Sequence, residues 1–136
     1  MPQAEGKVLA FDGPDTIDSD TLETIPYDGR RQLITLEYPE FSAVCPFSGL
    51  PDIGDIIIEY VPSDRIIELK SLKYYFISYR QVGIYQENMT NRVYEDLKAC
   101  LNPIQLKVTT VYNVRGGIET TCEMGTVCHS PDDNNS

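Results

Sequence analysis

The chain has 136 residues and a formal net charge of −10. That length holds one domain of ordinary size and is short for two. Net acidity argues against passive adhesion to nucleic acid, and no apolar run approaches the ~20 residues that a membrane span needs.

The charge is uneven. Within residues 1–29, Glu5, Asp12, Asp15, Asp18, Asp20, Glu23 and Asp28 stand against Lys7 alone, and Asp132 and Asp133 add to the tail. Residues 30–129 are close to neutral. The pattern predicts an acidic, partly flexible extension over 1–29, a folded domain over 30–125 and a flexible tail over 126–136. No basic start followed by an apolar run marks a secretory leader. Cys45, Cys100, Cys122 and Cys128 show no C-x-x-C spacing, so the expectation is a cytoplasmic protein with free thiols.

The elements follow in chain order. "KVLAF" (7–11) predicts a short edge strand. "QLITLEY" (32–38) alternates in β-formers and predicts a strand that Pro39 stops, and "DIIIEYVP" (55–62) predicts a second. The proline-braced loop "EFSAVCPFSGLPD" (40–52) lies between them. "IELKSLKYYFISYR" (67–80) changes period: Leu69, Leu72, Phe76 and Tyr79 recur at three and four, one face of a helix. "QENMTNRVYEDLKACL" (86–101) predicts a second helix, with Met89, Val93, Leu97 and Cys100 inward and Asn102-Pro103 as its stop. "IQLKVTTVYNV" (104–114) predicts a long strand, "GGIETTCEMG" (116–125) its return, and Arg115-Gly116-Gly117 the turn. The order ββααββ predicts an α+β fold: an antiparallel four-stranded sheet with two helices on one face. Such a sheet has two free edges, which assembly of copies into a ring would pair.

Several groups could carry chemistry. Cys45 reads either as an inert packed thiol or as a nucleophile on a loop held by strands. Asp52 follows on the same loop. A carboxylate beside a thiol raises its pKa, so Asp52 suits proton delivery to a reacting nitrogen rather than activation of the sulfur. No histidine stands near to act as base; His129 lies in the tail. Lys70, Lys73 and Arg80 fall on one arc of the first predicted helix. They form either a solvated face or, with Arg115, an anion site. Glu87 is either a charge well placed at a helix start or an acceptor for an N–H/NH₂ edge such as that of guanine. Cys122, Cys128 and His129 have poor zinc spacing, so no metal site is expected.

"ELKSLKYY" (68–75) resembles the Glu-x-Lys-Ser-x-Lys-x-Tyr helix of the nitrile reductases that convert 7-cyano-7-deazaguanine to 7-aminomethyl-7-deazaguanine with NADPH. "FSAVCPFSGLPD" (41–52) is similar to the nucleophile loop of that family, "ISYRQVG" and "NRVYEDL" to its helix pair, and "NVRGGI" (113–118) to its last hairpin. The resemblance covers about residues 30–123 and is to the single-module form. It implies a tunnelling fold that assembles into multi-subunit barrels, with sites at the subunit interfaces of a homo-oligomer and a role in queuosine biosynthesis.

Carried over residue by residue, it implies that Cys45 adds to the nitrile carbon as a covalent thioimide and that Asp52 delivers the proton. It implies that Ile67, Glu68, Leu69, Gln86 and Glu87 hold the 7-deazapurine, and that Lys70, Ser71, Lys73 and Arg115 meet NADPH. Neither direct nucleic-acid contact nor a membrane is implied. One departure is Gln86, where the family usually has histidine: an amide cannot shuttle a proton at neutral pH. Three alternatives stay open: a relative that adds ammonia to the same nitrile without redox, a catalytically weak deazapurine binder, and a structural ring protein.

Overall fold

The computed structural model describes residues 9–128. Lys7 and Val8 of the first expected strand, and His129 with the rest of the tail from that point, lie outside the described residues. Eight elements follow two short 3-10 turns (Pro14–Thr16 and Ser19–Thr21): β1 (Thr24–Pro26), β2 (Ile34–Val44), β3 (Pro51–Val61), β4 (Arg65–Ile67), α1 (Leu69–Ile77), α2 (Gln86–Leu101), β5 (Gln105–Tyr112) and β6 (Thr121–Thr126). Strands β2-β3-β5-β6 form an antiparallel sheet in that order, and β1 pairs with β4 in a separate two-stranded ribbon.

Alternation places one face of the sheet under the helices. Ile56, Ile58 and Tyr60 of β3 and Leu106 and Val108 of β5 point into a core shared with Leu72, Tyr75 and Phe76 of α1 and Met89, Val93 and Leu97 of α2. Burial of these side chains is the chief stabilising term. Helix α2 spans the residues expected and ends where Asn102 takes a left-handed φ of 44° before Pro103.

Pro39 does not stop the first strand. β2 runs on to Val44 through a bulge: Tyr38 pairs with Ile56 and Phe41 with Gly54, so Pro39 and Glu40 together oppose Asp55. β2 lies at the edge of the sheet, where a missing N–H breaks no ladder, and a bulge absorbs the extra residue. The loop between β2 and β3 therefore shrinks to residues 45–50.

Three other expectations change. Residues 9–11 form no strand; Asp12 alone bridges to Val82. Leu69 is the first residue of α1 and 59% exposed, so the inward face consists of Leu72, Phe76 and, beyond the helix, Tyr79, with Tyr75 added. The helix ends at Ile77, so Arg80 stands in the following turn, off the face that carries Lys70 and Lys73. Within the acidic segment, Ile17 is buried and β1 is held by β4, with Glu68 N–H donating to Glu23 O at 2.9 Å.

Candidate active site

Cys45 is the residue after β2, and Asp52 is the second residue of β3. The register pairs Val44 with Pro51 and Ala43 with Asp52, so the strand ladder itself brings the two groups to one end of the sheet. The connecting loop closes tightly: Cys45 N–H donates to Leu50 O at 2.9 Å, and Gly49 N–H donates to Cys45 O at 2.8 Å. Gly49 has φ +76°, a conformation that favours glycine.

The loop also supplies the thiol's environment. Burial raises the Cys45 pKa, but hydrogen bonds from the Ser48 amide, the Ser48 hydroxyl and the Phe47 amide outweigh it, and the net direction is downward despite Asp52. Donors on Ser48 and Phe47 thus favour the thiolate without a histidine. Asp52 is shifted the other way. Burial raises its pKa, and the nearby Arg115 guanidinium only partly offsets this. The shifts favour a thiolate beside a carboxyl that keeps its proton to higher pH than usual, a nucleophile next to a proton donor.

Arg115 reaches Asp52 from the β5–β6 hairpin, where Arg115 bridges to Ile118 and Gly116 and Gly117 take φ +59° and +83°. Two consecutive positive φ values are the geometry of a tight primed turn. The structure thus joins Cys45, Asp52 and Arg115.

The remaining expected site residues are placed as follows. Glu87 sits exposed in the first turn of α2, and its charge reaches Tyr112 and Cys122, raising both beyond what burial does. Gln86, beside it, is buried; its Nε2 approaches Thr120 O at 2.9 Å and Thr110 O and Oγ1 at 3.1 Å each. Its amide nitrogen therefore ties the start of α2 to β5 and the hairpin. Glu68 caps α1, its carboxylate accepting from Lys70 N–H and Ser71 N–H at 2.8 Å each, which lowers its pKa. The Ser71 hydroxyl donates to Glu68 O at 2.7 Å and accepts from Glu23 N–H at 3.0 Å, so its hydrogen bonds are internal. Ile67 is buried, with its N–H on the Tyr60 hydroxyl at 3.1 Å.

Lys70 and Lys73 are exposed on α1, and neither joins an ion pair among the described residues. Lys73 borders an apolar groove of about 220 Å³ that also includes Leu36, Tyr38, Leu69 and Phe76. A free ammonium group at the edge of an apolar groove, with Lys70 exposed on the same helix, fits a phosphate-bearing ligand. A second cavity, about 380 Å³, opens beside the nucleophile loop between Pro14, Pro46, Tyr85, Asn88 and Arg92. Among the described residues, no group of three His, Cys, Asp or Glu is arranged to hold a metal, and no helix is long and apolar enough to cross a membrane.

Ser48 was not legible as a functional residue. A hydroxyl three positions after a loop cysteine, before a glycine, is the signal that would have found it.

Known structures place this architecture in the tunnelling-fold class. The apo archaeosine synthase QueF-Like matches 74% of this chain and 96% of its own, with a TM-score of 0.63; at 24% identity the likeness is one of fold alone. The chain belongs to the QueF-like protein family, whose model matches residues 51–130. Proteins of Thermotoga petrophila and Thermotoga maritima named NADPH-dependent 7-cyano-7-deazaguanine reductase are each 59% identical to it, over 93% of this chain and 93% of their own length.

Proposed function

We propose that this protein is an NADPH-dependent oxidoreductase that reduces the nitrile of 7-cyano-7-deazaguanine to the primary amine, the step at which queuosine biosynthesis gains its aminomethyl group. The observation that carries the reading is the pairing of a Cys45 thiol shifted down with a buried Asp52 carboxyl shifted up at one end of the β2–β3 ladder. The Thermotoga relatives bear the name of this activity.

The nitrile carbon is an electrophile. The Cys45 sulfur adds to it, one C≡N π bond breaks, and the nitrogen takes up the Asp52 proton, leaving a covalent thioimide. No water attacks, so no hydrolytic base is required. NADPH, two equivalents per turnover, supplies the hydrides that carry the carbon to the amine oxidation level. Lys70 and Lys73 hold its phosphates, and Arg115 orients Asp52 and adds positive charge at the same end of the sheet. Glu87 accepts from the N–H/NH₂ edge of the deazapurine. Ile67, Glu68 and Leu69 shape the adjoining wall. Ser71 acts through the α1 cap, and Gln86 through the placement of Glu87.

The working enzyme is a cytoplasmic homo-oligomer with sites at subunit interfaces, acts on the free base and makes no direct contact with nucleic acid. Phe47, Leu50, Ile53, Val114 and Ile118 are exposed around the nucleophile loop and the hairpin, an apolar rim that a second copy would cover. Residues 30–125 form the reductase domain.

The test is NADPH oxidation, followed optically, with 7-cyano-7-deazaguanine as substrate and Cys45→Ala as control. Substrate-dependent oxidation in the native protein and none in the variant supports the reading. No oxidation, and no mass increase of the protein with the nitrile alone, overturns it.

A further inference from the structure

The first described residues run beside the nucleophile loop and grip it. Leu9 N–H donates to Ser48 O at 3.3 Å, and the next N–H along, that of Gly49, donates to Cys45 O at 2.8 Å. The Ser48–Gly49 peptide is therefore held at both poles, its carbonyl by Leu9 and its N–H by Cys45. The approach is close: a Cβ on Gly49 would stand 2.3 Å from Leu9 O.

Three residues on, the same segment braces the strand end before Cys45. Asp12 N–H donates to Gln81 O at 2.7 Å, and Gly83 N–H donates to Asp12 O at 2.8 Å. The Phe11 ring covers Gly83, where a Cβ would lie 2.2 Å from it. The segment under Phe11 is bonded to the residue before the nucleophile, with Val44 N–H on Val82 O at 2.9 Å and Ile84 N–H on Val44 O at 3.1 Å. Pro14 then forms a wall of the cavity beside Pro46.

We infer that residues 9–12 are a strap that positions the loop around Cys45, with Leu9 and Phe11 as its positioning residues. A short loop containing a glycine at positive φ has other conformations open to it. Release of the Ser48–Gly49 peptide frees the Ser48 residue to move as a whole, together with the hydroxyl and the N–H of the preceding peptide that lower the Cys45 pKa. Leu9 holds the Ser48 carbonyl from outside the loop while Cys45 O holds the Gly49 N–H within it, which removes that freedom before the substrate arrives and preorganises an anion-stabilising site. The acidic segment thereby acts through the loop rather than through its charge. The inference rests on Cys45 being the nucleophile.

The test uses full-length protein. Leu9→Pro removes the N–H that reaches Ser48, Phe11→Ala removes the ring over Gly83, and Phe11→Leu keeps an apolar cover. Cys45 alkylation by iodoacetamide is followed against pH by mass spectrometry of its peptide, beside the thermal midpoint. The native midpoint falls below the value of about 8.5 of a free thiol. Leu9→Pro and Phe11→Ala raise it by at least about half a unit, which lowers the thiolate fraction at pH 7 about threefold; Phe11→Leu restores it. An unchanged pH midpoint in folded Leu9→Pro and Phe11→Ala, with only thermal stability lost, overturns the strap. If Leu9→Pro does not fold, the contrast between Phe11→Ala and Phe11→Leu decides. A native protein with the lowered midpoint but no nitrile adduct would refute the proposed reaction while leaving the strap intact.

Discussion

The Arg115 guanidinium, carried on the tip of the β5–β6 hairpin, is paired with the Asp52 carboxylate near the start of β3. The pair sets two influences on one proton. Burial raises the Asp52 pKa, and the positive charge of Arg115 pulls it back down. Loss of Arg115 leaves burial unopposed, so the folded-state pKa rises further and Asp52 keeps its proton to higher pH. In Arg115→Gln, the Asp52 limb of the pH profile of nitrile adduct formation should move to higher pH. Adduct mass measured against pH without NADPH isolates this from any role of Arg115 toward the cofactor. A limb that stays in place or moves down would show that Arg115 does not govern the Asp52 proton.

The thiols should separate by pH. Cys45 is shifted down because donors on Ser48 and Phe47 outweigh burial. Cys100 is shifted up, chiefly by burial, and Cys122 by burial and then the Glu87 charge. A lowered pKa places the reactive thiolate at lower pH, so as pH rises Cys45 alkylates first and the other two later. Ser48→Ala removes the hydroxyl donor and should bring the Cys45 midpoint closer to theirs. Peptide-resolved alkylation across a pH series measures the order, and simultaneous labelling of Cys45 and Cys122 would contradict it.

What the sequence made legible follows a physical division. Helix α2 could be read to the residue because periodic apolar positions, a polar start and Asn102-Pro103 all act locally. The extension of β2 through Pro39 could not, because a proline is tolerated there only by virtue of the edge position, which is a property of the assembled sheet. The β1–β4 ribbon was illegible for a similar reason: Thr24 meets Ile67 across the whole β2–β3 hairpin, and each strand has three residues. In the site, Cys45 and Asp52 were singled out from residue type and resemblance as neighbours on one loop, whereas the Ala43–Asp52 register puts Asp52 on β3 and brings the two to one end of the sheet. Ser71 shows the converse. Its place in a recognisable motif drew attention, while its hydroxyl is engaged within the α1 cap and by Glu23.

Between the helices, Tyr75 and Tyr79 share a hydrogen bond of 2.7 Å, and the Tyr75 hydroxyl donates to Asp96 at 2.6 Å; Arg92 closes the network on the same carboxylate oxygen at 2.8 Å. Tyr75 is fully buried. Burial and the neighbouring Tyr79 and Asp96 push its pKa far above the ordinary range, so it stays a donor throughout the working pH. Tyr75→Phe removes two hydrogen bonds, one of them to a charged group, and should cost at least about 1.5–3 kcal/mol. Denaturant unfolding checks this, and alkylation of Cys45 should be unchanged because the network lies outside its loop. A loss under about 0.5 kcal/mol would mean that the Tyr75–Asp96 bond adds little to the packing of α1 on α2, and that Asp96 is satisfied by Arg92 of its own helix.

Gln86 is where structure and turnover pull apart. Its Nε2 has two hydrogens for the Thr110 carbonyl, the Thr110 hydroxyl and the Thr120 carbonyl. A neutral imidazole at this position has one N–H, so Gln86→His loses at least one of these hydrogen bonds and should cost about 0.5–1.5 kcal/mol. The same imidazole titrates near neutral pH and can carry a proton, which an amide cannot. Gln86→His should therefore unfold at lower temperature yet reduce the nitrile faster, by up to the ~10²-fold that a placed acid–base group provides. Gln86→Leu shares the stability loss and offers no proton path, so its turnover should not rise. Steady-state NADPH oxidation together with thermal unfolding of both variants separates the two roles. If Gln86→His is no faster than Gln86→Leu, position 86 serves to hold α2 against the hairpin and the Asp52 proton alone sustains the reaction.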